Sequence, residues 1–86
     1  MDTSSAVNDM AIELGKQIRI ARIERGMSQL ELIEKTGLGD STVRRIEKGT
    51  RDVTASQLQK IATALGMRMS QLGALAEDSI ERRQNG

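Results

Sequence analysis

The amino-acid sequence predicts an all-α fold, a compact five-helix bundle, from three observations that recur along its 86 residues. Apolar side chains follow one another at intervals of three and four, which is the spacing of one face of an α-helix. Residues that favour helix N-caps, such as serine, threonine and aspartate, stand before these apolar stretches. Glycine follows most of them, as expected where a helix ends. Together these features divide the chain into five short helices.

The first predicted helix begins at Asn8 or Asp9 and ends near Arg25, just before Gly26. Its inward face carries three apolar residues at intervals of four and three: Leu14, Ile18 and Ala21. Nearly opposite, three isoleucines lie within about 80° of one another and share that side with two basic residues: Ile12, Ile20 and Ile23, with Lys16 and Arg19. Two interpretations of this stripe stay open, scattered surface aliphatics or a contact with another protein.

The second and third predicted helices lie on either side of one glycine-bearing turn. Ser28 is an N-cap with Glu31 as its capping-box partner, and Gly37 ends the second helix. The third helix covers residues 40–48 and ends at Gly49. Because Gly37 accepts a positive φ, the chain can turn sharply there, and we expect Leu38 to fill the angle between the two helices.

The fourth and fifth helices follow the same rules. Thr54 is the expected N-cap of the fourth helix, with Gln57 in the reciprocal position, and Gly66 ends it. The expected inward stripe consists of Leu58, Ile61, Ala62 and Leu65. Ser70 is the expected cap of the fifth helix, which continues to about Arg83 with apolar positions at Leu72, Leu75, Ala76 and Ile80. The residues after that point are expected to fray.

Composition excludes several classes of function. The chain contains no cysteine and no histidine, so the usual metal sites and acyl-transfer triads cannot form. We therefore expect no enzyme, no catalytic residue, no metal and no cofactor. The chain also has no aromatic residue, so its core is aliphatic and it cannot stack on unpaired bases. No apolar run approaches the ~18 residues of a membrane span, and the first residues are polar and acidic, so the cytoplasm is the expected location.

Charge is unevenly distributed. The net charge is only +1, but residues 40–68 carry six basic and three acidic side chains. This excess coincides with the third helix and is compatible with a polyanionic partner. The alternative is an ordinary solvated helix face.

Residues 27–49 carry a specific resemblance. Its features are Ser28-Gln29, Glu31-Leu32, Gly37-Leu38, Val43 and the closing Ile46-Glu47-Lys48-Gly49. This segment resembles the helix-turn-helix of Cro and the lambdoid phage repressors, the Xre family, and with its flanking helices the resemblance covers roughly residues 14–75. It implies a lambda-repressor-like domain at residues 9–76, preceded by a flexible arm at 1–8 and followed by a helical extension and frayed tail at 77–86.

The resemblance also implies a function. It predicts a homodimeric transcription regulator that binds a two-fold symmetric operator on double-stranded DNA through the major groove. A repressor is expected because no sensing or activating domain is visible. A bacterial or phage origin follows, with the protein on the nucleoid when it is bound to DNA. Two alternatives stay open: an antitoxin that holds a toxin and represses its own operon, and a protein-interaction module that has lost DNA binding.

The resemblance assigns roles to individual positions. The expected base contacts are Asp40, Ser41, Arg44 and Arg45, and the expected phosphate contacts are Gln29, Thr42, Lys48 and Arg51. Arg45 can donate two hydrogen bonds to guanine O6 and N7. Asp40 and Gly39 depart from the family pattern, because glutamine is common at the first position and a serine or threonine cap at the second. The Asp40 carboxylate would accept a hydrogen bond from cytosine N4, or would only stabilise the N-terminus of the third helix.

Two further roles come from the same resemblance. Arg22 is expected to form a partly buried ion pair with Glu47, tying the first helix to the third. The expected dimer interface lies around the fifth helix, at Met67, Met69, Gln71, Leu75 and Ile80. Methionines at helical spacing also serve as core filler, so this assignment has a structural alternative.

Overall fold

A computed structural model describes the backbone of residues 3–85 and the side chains of residues 9–85. It confirms the all-α prediction: the described residues form five helices, α1 (Thr3–Glu24), α2 (Gln29–Thr36), α3 (Asp40–Lys48), α4 (Ala55–Ala64) and α5 (Met69–Asn85). None of the helices in this described part is long and apolar enough to cross a membrane.

Capping boxes begin α2 and α4 as expected, whereas α3 begins after Gly39 without a side-chain cap. The Ser28 side chain accepts from the N–H of Glu31 while the Glu31 carboxylate accepts from the N–H of Ser28, at 3.0 and 3.1 Å. Thr54 and Gln57 form the same reciprocal pair at the start of α4. Gly37 adopts a φ of 70° and turns the chain from α2 towards α3. Leu38 packs against the core at that turn.

The two terminal helices differ from their predicted limits. α1 begins at Thr3, so residues 3–8 are helical where a flexible arm was expected. α5 begins at Met69 rather than after a Ser70 cap. The side chain of Gln71 reaches back instead and accepts from the N–H of Arg68 at 2.8 Å. The helix then continues to Asn85, beyond the expected fraying point. Residues 1, 2 and 86 lie outside the described residues.

Among the described residues, an aliphatic core cluster draws on all five helices. Its buried members are Ile18, Ala21, Leu32, Val43, Ile46, Ile61, Ala62, Leu65 and Leu72. Short helices such as α2 and α3 are unstable alone in water, so this shared core is what holds them. Arg25 adds a hydrogen bond at one end of this core, where its Nε donates to the carbonyl oxygen of Leu65 at 2.6 Å.

A glycine sets the distance between α1 and α3. A Cβ built on Gly15 would lie only 2.2 Å from the carbonyl oxygen of Ile46 and 3.0 Å from that of Glu47. At the other end of the contact, a Cβ on Gly49 would lie 2.8 Å from the Cα of Ile12. The two backbones therefore pack at a separation that no side chain at Gly15 could accommodate without movement.

One carboxylate is buried between α1 and α5. The Glu13 side chain is fully buried, and its Oε1 lies 3.2 Å from Arg83 Nη2 and 3.4 Å from Lys16 Nζ. Its Oε2 has no hydrogen-bond partner among the described side chains that meets ordinary geometry. Burial acts to raise the pKa of Glu13, but the neighbouring Ser79 hydroxyl and the charges of Lys16 and Arg83 outweigh it and hold the pKa below its ordinary value.

Candidate nucleic-acid interface

The first turns of α2 and α3 open onto a shallow depression of about 550 Å³. The residues that line it come from three helices: Arg19 and Arg22 of α1, Gln29 of α2, and Ser41, Arg44, Arg45, Glu47 and Lys48 of α3. Five of these side chains are cationic and one is anionic. The depression therefore carries a concentrated positive charge on a molecule that is nearly neutral.

A buried ion pair forms the floor of the depression. Arg22 Nε donates to Glu47 Oε2 at 2.8 Å, and its Nη2 donates to Glu47 Oε1 at 3.0 Å. The remaining Arg22 nitrogen, Nη1, donates to the carbonyl oxygen of Met27 at 2.9 Å. The two side chains are 12% and 4% exposed. This is the contact that the family resemblance implies, and it fixes α1, the start of α2 and the end of α3 relative to one another.

Hydrogen bonds continue from the ion pair towards the solvent. Gln29 Nε2 donates to Glu47 Oε1 at 3.1 Å, and Gln29 Oε1 accepts from Arg44 Nη1, also at 3.1 Å. Arg44 Nε in turn donates to the Asp40 carboxylate, one helical turn earlier. Two residues expected to contact bases are thus bonded to each other, and Arg44 is held by acceptors on two different helices.

Three cations around the depression have no such partner. Arg19, Arg45 and Lys48 are exposed and form no ion pair with another described residue. Ser41 is exposed beside them at the start of α3. These are the groups whose donors are available to an external anion. Arg19 was not among the predicted contacts, because the sequence placed it in the isoleucine stripe of α1.

Two predicted phosphate contacts do not line the main depression. Arg51 lines a separate hollow beyond the C-terminus of α3, together with Ala11, Ile12, Gly49, Thr50 and Asp52. Thr42 is half-buried on α3 and is not among the residues that line the main depression. Neither position groups with Gln29, Arg45 and Lys48.

The start of α2 carries one perturbed carboxyl. The backbone N–H of Ser28 is the main group that holds the pKa of Glu31 below its ordinary value, with a further contribution from the Ser28 hydroxyl. Glu31 stays ionised as the reciprocal member of the capping box, two residues after Gln29. The first turn of α2 is therefore fixed before any ligand arrives.

The expected dimer residues are not on one surface. Met67 precedes α5 and packs against the core. Leu72 and Ala76 are the buried positions of α5. At about 100° per residue, Gln71 and Leu75 lie on one side of Leu72, whereas Met69 and Ile80 lie on the other. Leu75 and Met69 are 42% and 38% exposed. One flat interface cannot include both sides, so the predicted set divides into two.

Comparison with known proteins agrees with this geometry. A profile described as "Helix-turn-helix" matches residues 18–72, more than half of the chain. The chain belongs to the helix-turn-helix family. The resemblance to Xre-type regulators is therefore confirmed, as is the fold.

Named relatives fall within the same group of proteins. An uncharacterized HTH-type transcriptional regulator from Sinorhizobium medicae is 40% identical over 63 residues, covering 73% of this chain and 45% of the relative. The cryptic phage CTXphi transcriptional repressor RstR of Vibrio cholerae is 30% identical over 67 residues, covering 78% of this chain and 60% of RstR. The chain thus spans only about half the length of these helix-turn-helix relatives. They are named as regulators of transcription and not as enzymes.

A solved structure gives the same architecture. The restriction-modification controller protein C.AhdI from Aeromonas hydrophila superimposes with a TM-score of 0.69 and 34% sequence identity, covering 72% of this chain and 94% of C.AhdI. Most of this helix-turn-helix chain thus shares its helix arrangement with a protein that is named a restriction-modification controller.

Proposed function

We propose that this protein represses transcription by binding a two-fold symmetric operator on double-stranded DNA as a homodimer in the bacterial cytoplasm. The observation that carries this proposal is the arrangement of Ser41 in the first turn of α3 and Arg45 one turn later. Both side chains are exposed at the edge of a cationic depression and form no hydrogen bond with another described side chain. In a helix-turn-helix protein the second helix of the pair enters the major groove, where exposed donors of this kind meet base edges.

Arg45 is the proposed base-specific group. Its guanidinium makes no side-chain hydrogen bond with another described residue, so both of its terminal nitrogens are available to guanine O6 and N7. Lys48, one turn closer to the end of α3, would pair with a phosphate. Arg44 is proposed to bind a base or a phosphate while it stays bonded to Gln29.

Gln29 is the proposed phosphate contact of α2. Its amide nitrogen carries two N–H groups, and one of them is directed to Glu47. The second N–H and the free backbone N–H groups of the first turn of α2 can donate to one phosphate oxygen. The helix dipole favours an anion at that end. Gln29 would therefore bind DNA without releasing the ion pair beneath it.

Dimerisation is proposed to use the Leu75 side of α5. Leu75 is 42% exposed and borders a hollow that also contains Asp78, Glu81, Arg82 and Asn85. Charges of both signs around one apolar residue suit a two-fold contact, in which each copy presents the same patch to the other. Leu75→Glu should give a monomer in sedimentation velocity, whereas Met69→Glu on the other side should leave the dimer intact; the opposite outcome would move the interface to the Met69 side.

The relative RstR is named a transcriptional repressor, and this favours repression over activation for the present protein. A protein that covers promoter DNA needs only affinity and an operator in the right position. Repression is measured with a reporter gene behind the selected operator, and a rise in expression on adding the protein would argue for activation.

The exposed isoleucines of α1 support a second candidate, an antitoxin that also represses its own operon. Ile20 and Ile23 are 42% and 56% exposed, on the side of α1 away from its buried positions Ile18 and Ala21. This hypothesis predicts that a toxic protein binds the purified chain. An Ile20→Asp, Ile23→Asp double variant should no longer bind that toxic protein, but it should still bind the operator.

The experiment that tests the main proposal is selection from random duplex DNA, followed by titration of the selected site. A two-fold symmetric site is expected, and Arg45→Ala should relax the preference at one base pair in each half-site, by about 1–3 kcal/mol. Lys60→Ala, which removes a charge from α4, is the control and should leave the preference unchanged. If no sequence is enriched and only weak, salt-sensitive binding is found, the proposal is wrong.

A further inference from the structure

Arg19 is the one cation of the depression for which the helix-turn-helix pair has no role. It lies on α1, outside the pair formed by α2 and α3. Its side chain nevertheless lines the same depression as Arg45 and Lys48. We propose that Arg19 binds a phosphate of the DNA backbone and so brings α1 into the interface. This proposal deepens the DNA-binding function above and depends on it.

Packing explains why Arg19 lies on this surface. Gly15, Arg19 and Arg22 follow one another at intervals of four and three, so they share one side of α1, within about 60°. Gly15 lets that side contact the backbone of α3 at Ile46 and Glu47, and Arg22 bonds Glu47. Arg19 lies between them along the helix and is therefore carried to the edge of α3.

The electrostatic surroundings favour a phosphate as the partner of Arg19. Glu47, the anionic residue of the depression, is already bonded to Arg22 and Gln29. Asp40 is bonded to Arg44. Arg19 is exposed and has no ion pair among the described side chains. It lines the same depression as two further cations without an ion pair, Arg45 and Lys48, so an anion bound there would reduce the repulsion among the three charges.

A phosphate fits better than a base edge for a geometric reason. α3 is the helix expected in the groove, and α1 packs behind it at the side of Ile46 and Glu47. A side chain on such a supporting helix meets the backbone at the rim of the groove rather than its floor. Arg19 should consequently add affinity equally for every sequence.

The test measures binding of a fluorescent operator duplex and of a scrambled duplex by anisotropy, from about 50 to about 200 mM salt. Arg19→Gln should bind both duplexes more weakly by the same factor. The slope of log K against log salt concentration should fall by about 0.9, so the loss of affinity across this salt range becomes about 3.5-fold smaller than for the wild type. Arg19→Lys should keep the wild-type slope.

Lys60→Gln is the matched control. It removes the same charge from α4, where Lys60 lines a different hollow with Lys35 and Thr36, and it should leave the slope unchanged. If Arg19→Gln behaves like Lys60→Gln, the inference is overturned. It is also overturned if Arg19→Gln changes the preferred sequence rather than the slope. Thermal unfolding of both variants verifies that they are folded.

The two proposals fail in different ways. A wild-type protein that binds operator and scrambled duplex equally, while Arg19→Gln lowers the slope on both, would overturn sequence-specific regulation and keep the Arg19 contact. If the wild type binds the operator selectively and Arg19→Gln leaves the slope unchanged, sequence-specific regulation is kept and the Arg19 contact is overturned. A wild-type protein that binds no duplex would overturn both.

Discussion

Gln29 donates to Glu47 at 3.1 Å, so a residue proposed to contact DNA is also bonded to the ion pair that fixes the fold. Glu47 receives this bond in addition to two from Arg22. Binding surface and core are thereby in direct contact through one carboxylate. A change at Glu47 should affect both stability and DNA binding, whereas a change at Arg45 should affect only binding.

The first prediction concerns the Arg22 and Glu47 ion pair. Glu47→Ala or Arg22→Ala should each lower the free energy of unfolding by about 3 kcal/mol, because each leaves a largely buried charge without its partner. An Arg22→Met, Glu47→Leu double variant should lose less than either single variant, since it removes both charges and keeps apolar volume. Urea unfolding gives all three values. Losses below about 0.5 kcal/mol would mean that the pair behaves as a surface ion pair.

The second prediction concerns Asp40. Because its carboxylate accepts from Arg44, we expect Asp40 to orient Arg44 rather than to contact a base. Asp40→Ala should strengthen binding to unrelated duplex, by removing a negative charge, and should reduce discrimination by about 1 kcal/mol. In an Arg44→Ala background the same change should have no effect on discrimination.

The measurement for Asp40 is a double-mutant cycle on operator and unrelated duplex. Asp52→Ala is the control, because Asp52 is exposed and lines the hollow beyond α3 rather than the main depression. If Asp40→Ala alters the preference at one base pair equally in both backgrounds, Asp40 contacts that base directly, as the sequence suggested.

The third prediction compares two glycines. Gly15→Ala should destabilise the protein by at least about 2 kcal/mol, because the new Cβ would overlap the carbonyl oxygen of Ile46. Gly73→Ala in α5 should instead stabilise it by about 0.5–1 kcal/mol, since a Cβ there meets no atom within 4 Å and alanine is the better helix former. Thermal and urea unfolding measure both. Equal effects of the two substitutions would contradict the close packing of α1 on α3.

The fourth prediction is a pH dependence from Glu13. Its folded pKa is lowered, so the unfolded chain takes up a proton first as the pH falls. The resulting stabilisation is complete above the ordinary glutamate pKa and is lost as the pH drops through the folded value. Glu13→Gln should therefore lose less stability than the wild type between pH 7 and pH 3. Glu77→Gln, an exposed change on α5, should follow the wild-type curve, and identical curves for all three proteins would refute this role.

Short-range patterns predicted the centre of the fold well. The limits of α3 and the capping boxes of α2 and α4 depend on residues three or four apart, which are visible in the sequence. The start of α5 was missed because the observed side-chain bond at this end comes from Gln71, inside the helix, which accepts from the N–H of Arg68, and not from a Ser70 cap. The start of α1 at Thr3 was missed because Val7 was not counted with the apolar positions that continue at Ala11, Leu14 and Ile18.

Long-range relationships were harder to predict. Glu13 reads as an ordinary surface carboxylate until Arg83, near the other end of the chain, is known to lie beside it. Arg19 was grouped with the isoleucines because periodicity gives the side of a helix and not its neighbour. Only the contact at Gly15 reveals which of those residues turn towards α3. The Arg22 and Glu47 pair was predicted through family resemblance, which supplies long-range information that spacing cannot.

The bonded row from Asp40 through Arg44 and Gln29 to Glu47 also bears on how such a protein could evolve. Substitution of any member removes a hydrogen bond from its neighbour, so a lineage that acquires a new operator would have to change several of these positions together. The side chains of Ser41 and Arg45 do not belong to this bonded row, so either residue can change without removing a hydrogen bond from it. Drift in target preference should therefore begin at those two positions, and the bonded row should change only in concert.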